Sequence, residues 1–390
     1  LGKAALGSIT TASDNTAVGS GAAGSATGSN NTAVGRSSLN ANTTGERNTA
    51  VGTRSLENQT TGTLNTAYGY ESGQANNATG ITAIGYKALE ANTTANYNTA
   101  VGYEALRTNT TGGANGPNVA IGKFALFANT TGDNNIAISA LGSNTTGSNN
   151  TGVGANALGS NTTASHNTGV GKGALGVNIT GQFNTAVGSL ALDANTTGSQ
   201  LTAIGYQSLS ANTTASFNTG IGDHTLKLNT TGSQNIAIGT NCLDANTTGN
   251  YNVSIGVNSL TANTTAANNT AVGADTLRLN TGGNNTAIGA FASDANTSGT
   301  NNAAIGFNAL GENTTGSSNT AVGQAALNFN TTASSNTAVG KSALAVNTTG
   351  HSNVAVGATA LDANTEGFNL VAIGEDALGA NTTADYNVAV

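Results

Sequence analysis

The sequence predicts an all-β fold, a parallel β-solenoid (a β-roll) with one rung per repeat of about 17 residues. Three observations carry that prediction. A pentad of the form Asn-Thr-Ala-Val-Gly returns at near-constant spacing, its second and fourth places take β-branched residues, and Gly, Asn and Thr interrupt every stretch between pentads.

The spacing settles the organisation. The pentad or a close variant begins at 23 positions between 15 and 387, a mean interval of about 16.9 residues. The unit reads Asn-Thr-Ala-Val-Gly-x-x-Ala-Leu-x-x-Asn-Thr-Thr-Gly-x-x. Residues 1–390 are expected to form a single continuous array of about 23 rungs, uncapped at both ends, because neither terminus carries the polar segment that hides a terminal rung. With no methionine in the chain, the array is expected to be an excerpt of a longer fibre. Rungs about 4.8 Å apart would give a length on the order of 110 Å.

Departures from the period fall in the expected turns, where length varies most cheaply. The repeat at Asn98 is three residues longer, with Gly113, Gly116 and Pro117 in the extra loop, and the repeat at Asn135 loses two residues after Ser139. The repeats at Asn15 and Asn65 lack the Leu and have Ala23 and Gly73 in its place.

The pentad is the strand. Its second and fourth places lie on one face of an extended segment, and both are apolar in Val119 with Ile121, Ile136 with Ile138, Ile236 with Ile238, and Val354 with Val356. The core is therefore expected to contain Val18, Val51, Ile84, Val101, Ile204, Ile288 and Val339, joined by the repeat leucines Leu39, Leu89, Leu158, Leu209, Leu260 and Leu344. The place between the β-branched residues is Ala or Gly (Ala33, Ala100, Gly169, Gly220), so that face also meets something close. Gly at the fifth place and Gly or Ala at the fifteenth mark where the path turns. Helix is excluded by breakers every few residues.

Composition agrees with order by repetition. Only 4% of residues are aromatic and 7% charged, with 54 glycines, one proline and no tryptophan, so Leu, Ile and Val carry nearly all the burial. Charges test the register independently. All 11 Lys and Arg, and all 18 acids except Glu366, fall in the pairs of places after the pentad, after Ala-Leu, or before the next Asn, as do Arg36, Lys87, Glu104, Asp193, Arg278 and Asp385. These are expected to be solvent-facing corners. The thinly spread net charge of −7 argues against nucleic acid, no apolar run suggests membrane insertion, and residues 1–390 are not expected to include a secretory leader.

Stacked asparagines of the Asn-Thr-Thr segment are expected to form a ladder through their side-chain amides: Asn42, Asn92, Asn161, Asn212, Asn246, Asn313 and Asn347. The same letters read as N-glycosylation acceptors, which would line one edge with sugar.

No chemical motif survives its context. Gly19-Ser20-Gly21-Ala22-Ala23-Gly24 matches a dinucleotide fingerprint only as a string, since no helix is predicted to follow. His166, His224 and His351 are far apart and occupy corner places, and no metal-ligand spacing is present. Cys242, the only cysteine, takes a place that elsewhere holds Ala or Ser, as a small buried filler does. Ser and Thr are plentiful but lack an activating base. The expectation is no enzyme, no cofactor and no metal.

Stretches such as Asn65-Thr66-Ala67-Tyr68-Gly69-Tyr70 and Leu201-Thr202-Ala203-Ile204-Gly205-Tyr206-Gln207-Ser208 resemble the head repeats of YadA-like trimeric autotransporter adhesins. The likeness covers essentially the whole chain, and related phage tail-fibre-like repeat arrays are similar too. The family's unit is shorter, so the inserted Leu and Asn-Thr-Thr are a departure. The resemblance implies a left-handed roll, three chains side by side, and a place on a bacterial surface or a virion. The expected function is a structural or adhesive shaft, extracellular, at the cell surface or on a virion. Its partner is itself, as a parallel homotrimer or an end-to-end filament, and a host-surface receptor or glycan would be met by a tip outside this chain. The alternatives are a homopolymeric extracellular filament and an ice- or crystal-surface-binding solenoid, against the second of which stands the absence of a Thr-x-Thr row.

Overall fold

A computed structural model describes residues 2–110 and 116–390. Gly113 of the long loop lies outside the described residues. The chain forms two compact units, Leu1–Thr197 and Gly198–Val390, and both are β-solenoids without helix among the described residues. The first carries strands β1 (Thr16–Val18) to β11 (Thr185–Val187), and the second β12 (Thr202–Ile204) to β23 (Val388–Ala389). Each full rung contributes one three-residue strand, and turns make up the rest of its 17 residues.

Within each unit successive strands pair in parallel and in register, as in Thr16↔Thr32, Ala17↔Ala33, Val18↔Val34 and again in Ile204↔Ile221. The stacked identical sequence dictates that register, because any slip would flip every side chain to the opposite face.

The strands correct one expectation. The core is lined by the small central residue of each strand, not by the Val and Ile beside it. Ala33, Ala100, Ala203 and Ser254 are fully buried, whereas Val18 is 49% and Ile204 39% exposed, Ile84, Ile288 and Val339 are exposed as well, and Val51 and Val101 are half-buried. The reason is thickness. A Cβ built on Gly152 would lie 2.8 Å from the Ala140 Cβ and 3.2 Å from the Leu141 Cγ, so the strand faces the Ala-Leu turn across a gap that takes only the smallest side chains.

The repeat leucines fill the interior as predicted. Leu39, Leu89, Leu158, Leu209, Leu260 and Leu344 are fully buried. They are held there by an unusual backbone, with φ between 51° and 55° at all six. Positive φ is disfavoured for any residue with a Cβ, so burial must outweigh the strain. Where Leu is missing at Gly73, a Cβ would lie 2.9 Å from the Leu56 Cδ2 and 3.3 Å from the Ile81 Cδ1, so neighbouring side chains already occupy the vacant space.

Two kinds of glycine are needed. Those at the fifth place have φ of about 130°, as at Gly239 and Gly256, a conformation that requires glycine. The fifteenth-place residue is instead small because a Cβ on Gly45 would press on Gly62 O and Asn42 Oδ1, while Gly45 O accepts from both Asn31 Nδ2 and Asn42 Nδ2, each at 2.9 Å.

Candidate functional site

The asparagines come first, because they are the most numerous polar groups in the interior. Asn42, Asn92, Asn161, Asn212, Asn246, Asn313 and Asn347 are all fully buried. Along the ladder each Nδ2 donates to the Oδ1 one rung earlier, at 2.9 Å from Asn161 to Asn144, 2.8 Å from Asn246 to Asn229, and 3.0 Å from Asn347 to Asn330. The second Nδ2 hydrogen closes a turn on the carbonyl three residues ahead, as from Asn161 to Ala164 at 2.9 Å. Both donors and the acceptor are thus used, which satisfies a buried amide. Asn42 differs, since the next rung has Gln59 and Asn42 Oδ1 is left without a partner.

A second ladder was not anticipated from the sequence. The first residue of the pentad accepts the backbone N–H of its successor one rung on, 3.0 Å from Asn65 N to Asn48 Oδ1 and 2.9 Å from Asn235 N to Asn218 Oδ1. Its Nδ2 donates to the fifteenth-place carbonyl, as from Asn235 to Gly249 at 2.8 Å. The two ladders make the Asn-Thr-Thr asparagines structural, and a buried amide nitrogen with both hydrogens engaged is closed to sugar attachment in the folded chain. Replacing Asn229 with Leu removes the donor to Asn212 Oδ1 at 3.1 Å and the acceptor of Asn246 Nδ2. The expected loss is about 1–3 kcal/mol, read as faster amide exchange in the adjacent rungs.

Charged residues follow the predicted corners, with two exceptions. Glu71 and Glu104 are buried because cations cover them. Arg54 bonds Glu57 at 2.7 Å and Glu71 at 2.6 Å, Lys87 bonds Glu71 at 3.1 Å and Glu90 at 2.7 Å, and Arg107 bonds Glu90 at 2.5 Å and Glu104 at 3.2 Å. Beside this chain Tyr70, Tyr86 and Tyr103 stack at 5.5 and 5.0 Å. Burial pushes the Glu90 carboxyl up, but the bonds and charges of Lys87 and Arg107 outweigh it and hold it below its ordinary value.

Elsewhere carboxyls shift the other way. Burial pushes Asp193, Asp244 and Asp294 up, each placed directly after the Leu position. A raised folded-state value means that ionisation opposes folding. That cost is full above the raised value and relieved as pH falls through it into the ordinary carboxylate range. Glu90 behaves oppositely: its contribution is present above the ordinary value and lost as pH falls through the lowered one. The rungs around Asp244 are therefore expected to gain protection on mild acidification. Asp244→Asn should remove that gain, and an unchanged pH profile of amide exchange in the variant would contradict the assignment.

His166 stacks on Phe183 at 4.8 Å, His351 stacks on Phe368 at 5.0 Å, and His224 lies 3.0 Å from Gln207 Oε1. Among the described residues no three His, Cys, Asp or Glu side chains group to hold a metal ion. Cys242 is a buried free thiol whose Sγ lies 3.3 Å from the Ser254 Oγ, and burial pushes it up. The run Gly19 to Gly24 forms the bend and turn that follow β1, with no helix after it. No helix among the described residues is long and apolar enough to cross a membrane.

What remains as a surface with repeated chemistry is the outer face of the strands. It presents two columns, the second place (Thr202, Thr219, Ile236, Val253) and the fourth (Ile204, Ile221, Ile238, Ile255), in one register. A comparison with protein-family models finds no match for this chain, and neither does a comparison with curated protein sequences.

Proposed function

We propose that this chain is a length of shaft from an extracellular or virion fibre, assembled as a parallel homotrimer through the outer face of its strands. The observation that carries this reading is the outward-facing column of Val and Ile at the fourth place, exposed in rungs such as those of Ile204 and Ile288 and half-buried in others such as those of Val51 and Val101. A contiguous apolar strip of that kind is uncommon on a monomer and marks an association surface. Identical columns on three chains match one another rung for rung, so in-register parallel association follows from symmetry. Repetition of the same rung suits a spacer, which needs length and stiffness and no unique pocket.

Native mass measurement tests this. The expected particle has three times the 37.9 kDa chain mass, and Ile204→Glu together with Ile288→Glu should release folded single chains. A wild-type particle of 37.9 kDa at micromolar concentration would overturn the trimer.

One observation favours a second reading. Thr at the second place and Val or Ile at the fourth stand side by side on the outer face in one register, a repeating array of hydroxyls and methyls that suits a crystal surface such as ice. Thermal hysteresis of the purified chain decides, and its absence removes that reading.

A further inference from the structure

The ladders are regular enough that an interruption stands out, and one occurs where the repeat at Asn135 is two residues short. In neighbouring rungs the seventh residue donates its N–H to the carbonyl of the sixth residue one rung earlier, as from Phe124 to Tyr103 at 3.0 Å and from Gly173 to Ala155 at 3.0 Å. The short rung has no such corner. Lys123 C=O therefore receives no backbone donor and Asn156 N–H finds no backbone acceptor among the described residues. Between them lies a notch of about 270 Å³, lined by Lys123, Phe124, Ser139, Ser143, Asn156 and Gly159.

The lining has a definite chemistry. Phe124 is 41% exposed and leaves the tyrosine stack, its ring at 81° to that of Tyr103. The Lys123 ammonium sits 4.9 Å from the Phe124 ring centre, and no carboxylate lies within ion-pair distance of it among the described residues. Ser139, Ser143 and Asn156 are exposed, and their side chains make no hydrogen bond among the described residues. An aromatic ring, an unpaired cation, hydroxyls, an amide and an unpaired backbone donor and acceptor thus meet in a space that takes one ring-sized ligand.

We infer that this notch is a binding site for a single acidic sugar unit, a hexuronate at the end or within the chain of a polysaccharide. The carboxylate pairs with Lys123, the C–H surface of the sugar packs on Phe124, and the hydroxyls bond the Asn156 and Lys123 backbone groups and the two serines. Among the described residues, no other corner between successive rungs within either unit lacks the seventh-to-sixth backbone bond. The site does not depend on how chains associate, and it stands or falls apart from the shaft reading.

Ligand-observed NMR titration of the intact chain tests it, with methyl β-D-glucuronide, methyl β-D-glucoside and acetate as probes. The expected order is glucuronide tightest, glucoside weaker and acetate without measurable binding. Lys123→Gln should weaken glucuronide by about tenfold and leave glucoside unchanged, a charge-assisted hydrogen bond being the only one removed. Phe124→Ala should weaken both sugars. A third variant inserts Gly-Tyr between Ile138 and Ser139, restoring a 17-residue rung, and should abolish binding while raising thermal stability. Three results would overturn the assignment: no sugar binding to the wild-type chain, acetate binding as well as glucuronide, or sugar binding that survives the insertion.

Discussion

Gly239→Ala is expected to destabilise its rungs by about 3 kcal/mol or more, although it adds one methyl group. Two costs combine. The residue has a φ of 130°, where a side chain brings about 1–3 kcal/mol of strain. The new Cβ would also lie 2.7 Å from Gly256 O and 2.8 Å from Gly256 C, and neither atom can yield, because Gly256 N–H is itself bonded back to Ile238 O at 2.8 Å. Overpacking against a fixed backbone costs a further ~1–3 kcal/mol. In a quasi-one-dimensional array the damage stays local. Amide exchange over β14 (Ile236–Ile238) and β15 (Val253–Ile255) should accelerate markedly while the last rungs keep their protection. Unchanged exchange in both strands would mean that the rung stacking is looser than the structure has it.

The second large effect concerns shape rather than size. Leu209→Ala should cost about 2–5 kcal/mol through lost burial and a cavity. The informative comparison is Leu209→Ile. In most cores such a swap costs under about 1.5 kcal/mol. Here it is expected to cost about 3 kcal/mol, because Leu209 has φ of 54° and a β-branched residue there is a genuine outlier. Its side chain also points at the neighbouring strand, with Cδ1 3.5 Å from where a Cβ on Gly220 would stand. Calorimetric melting of the intact chain ranks the variants. An Ile variant within 1.5 kcal/mol of the parent would show that the positive φ relaxes at little cost.

The repeat made much of this visible in advance. Spacing gave the rung, breakers excluded helix, and the leucines and the Asn-Thr-Thr asparagines lie where period and chemistry placed them. The inside and outside of the strand were misread, because β-branched residues are ordinarily the buried ones. A sharper signal was present in the same letters. The second place exchanges Thr185 for Ile136, and the fourth exchanges Val51 for Tyr68, which only a surface tolerates, while the third place stays at Gly, Ala or Ser. The pentad asparagine was also overlooked as a ladder. Its partners are a backbone N–H in one neighbouring rung and a carbonyl fourteen residues ahead, and neither leaves a mark on side-chain patterning. Burial of Glu71 depended on Arg54 and Lys87, each one rung away, a contact that the sequence implies only once rungs are aligned, whereas Glu104 is covered by Arg107 three residues ahead in its own rung.

The Asn-Thr-Thr column is not continuous, and its gaps bear on how the material fails. Asn42 Oδ1 has no donor where Gln59 replaces the next asparagine, and Asn263 Oδ1 has none where the repeat at Asn269 runs one residue short. Chains of amides polarise one another, so each unbroken run is stiffer than its separate bonds, whereas a gap resets that reinforcement. The first unit thus has a plane of easy parting between Asn42 and Gln59, and the second has one between Asn263 and Asn280. As in a layered crystal, parting under load within each unit is expected to follow its own plane.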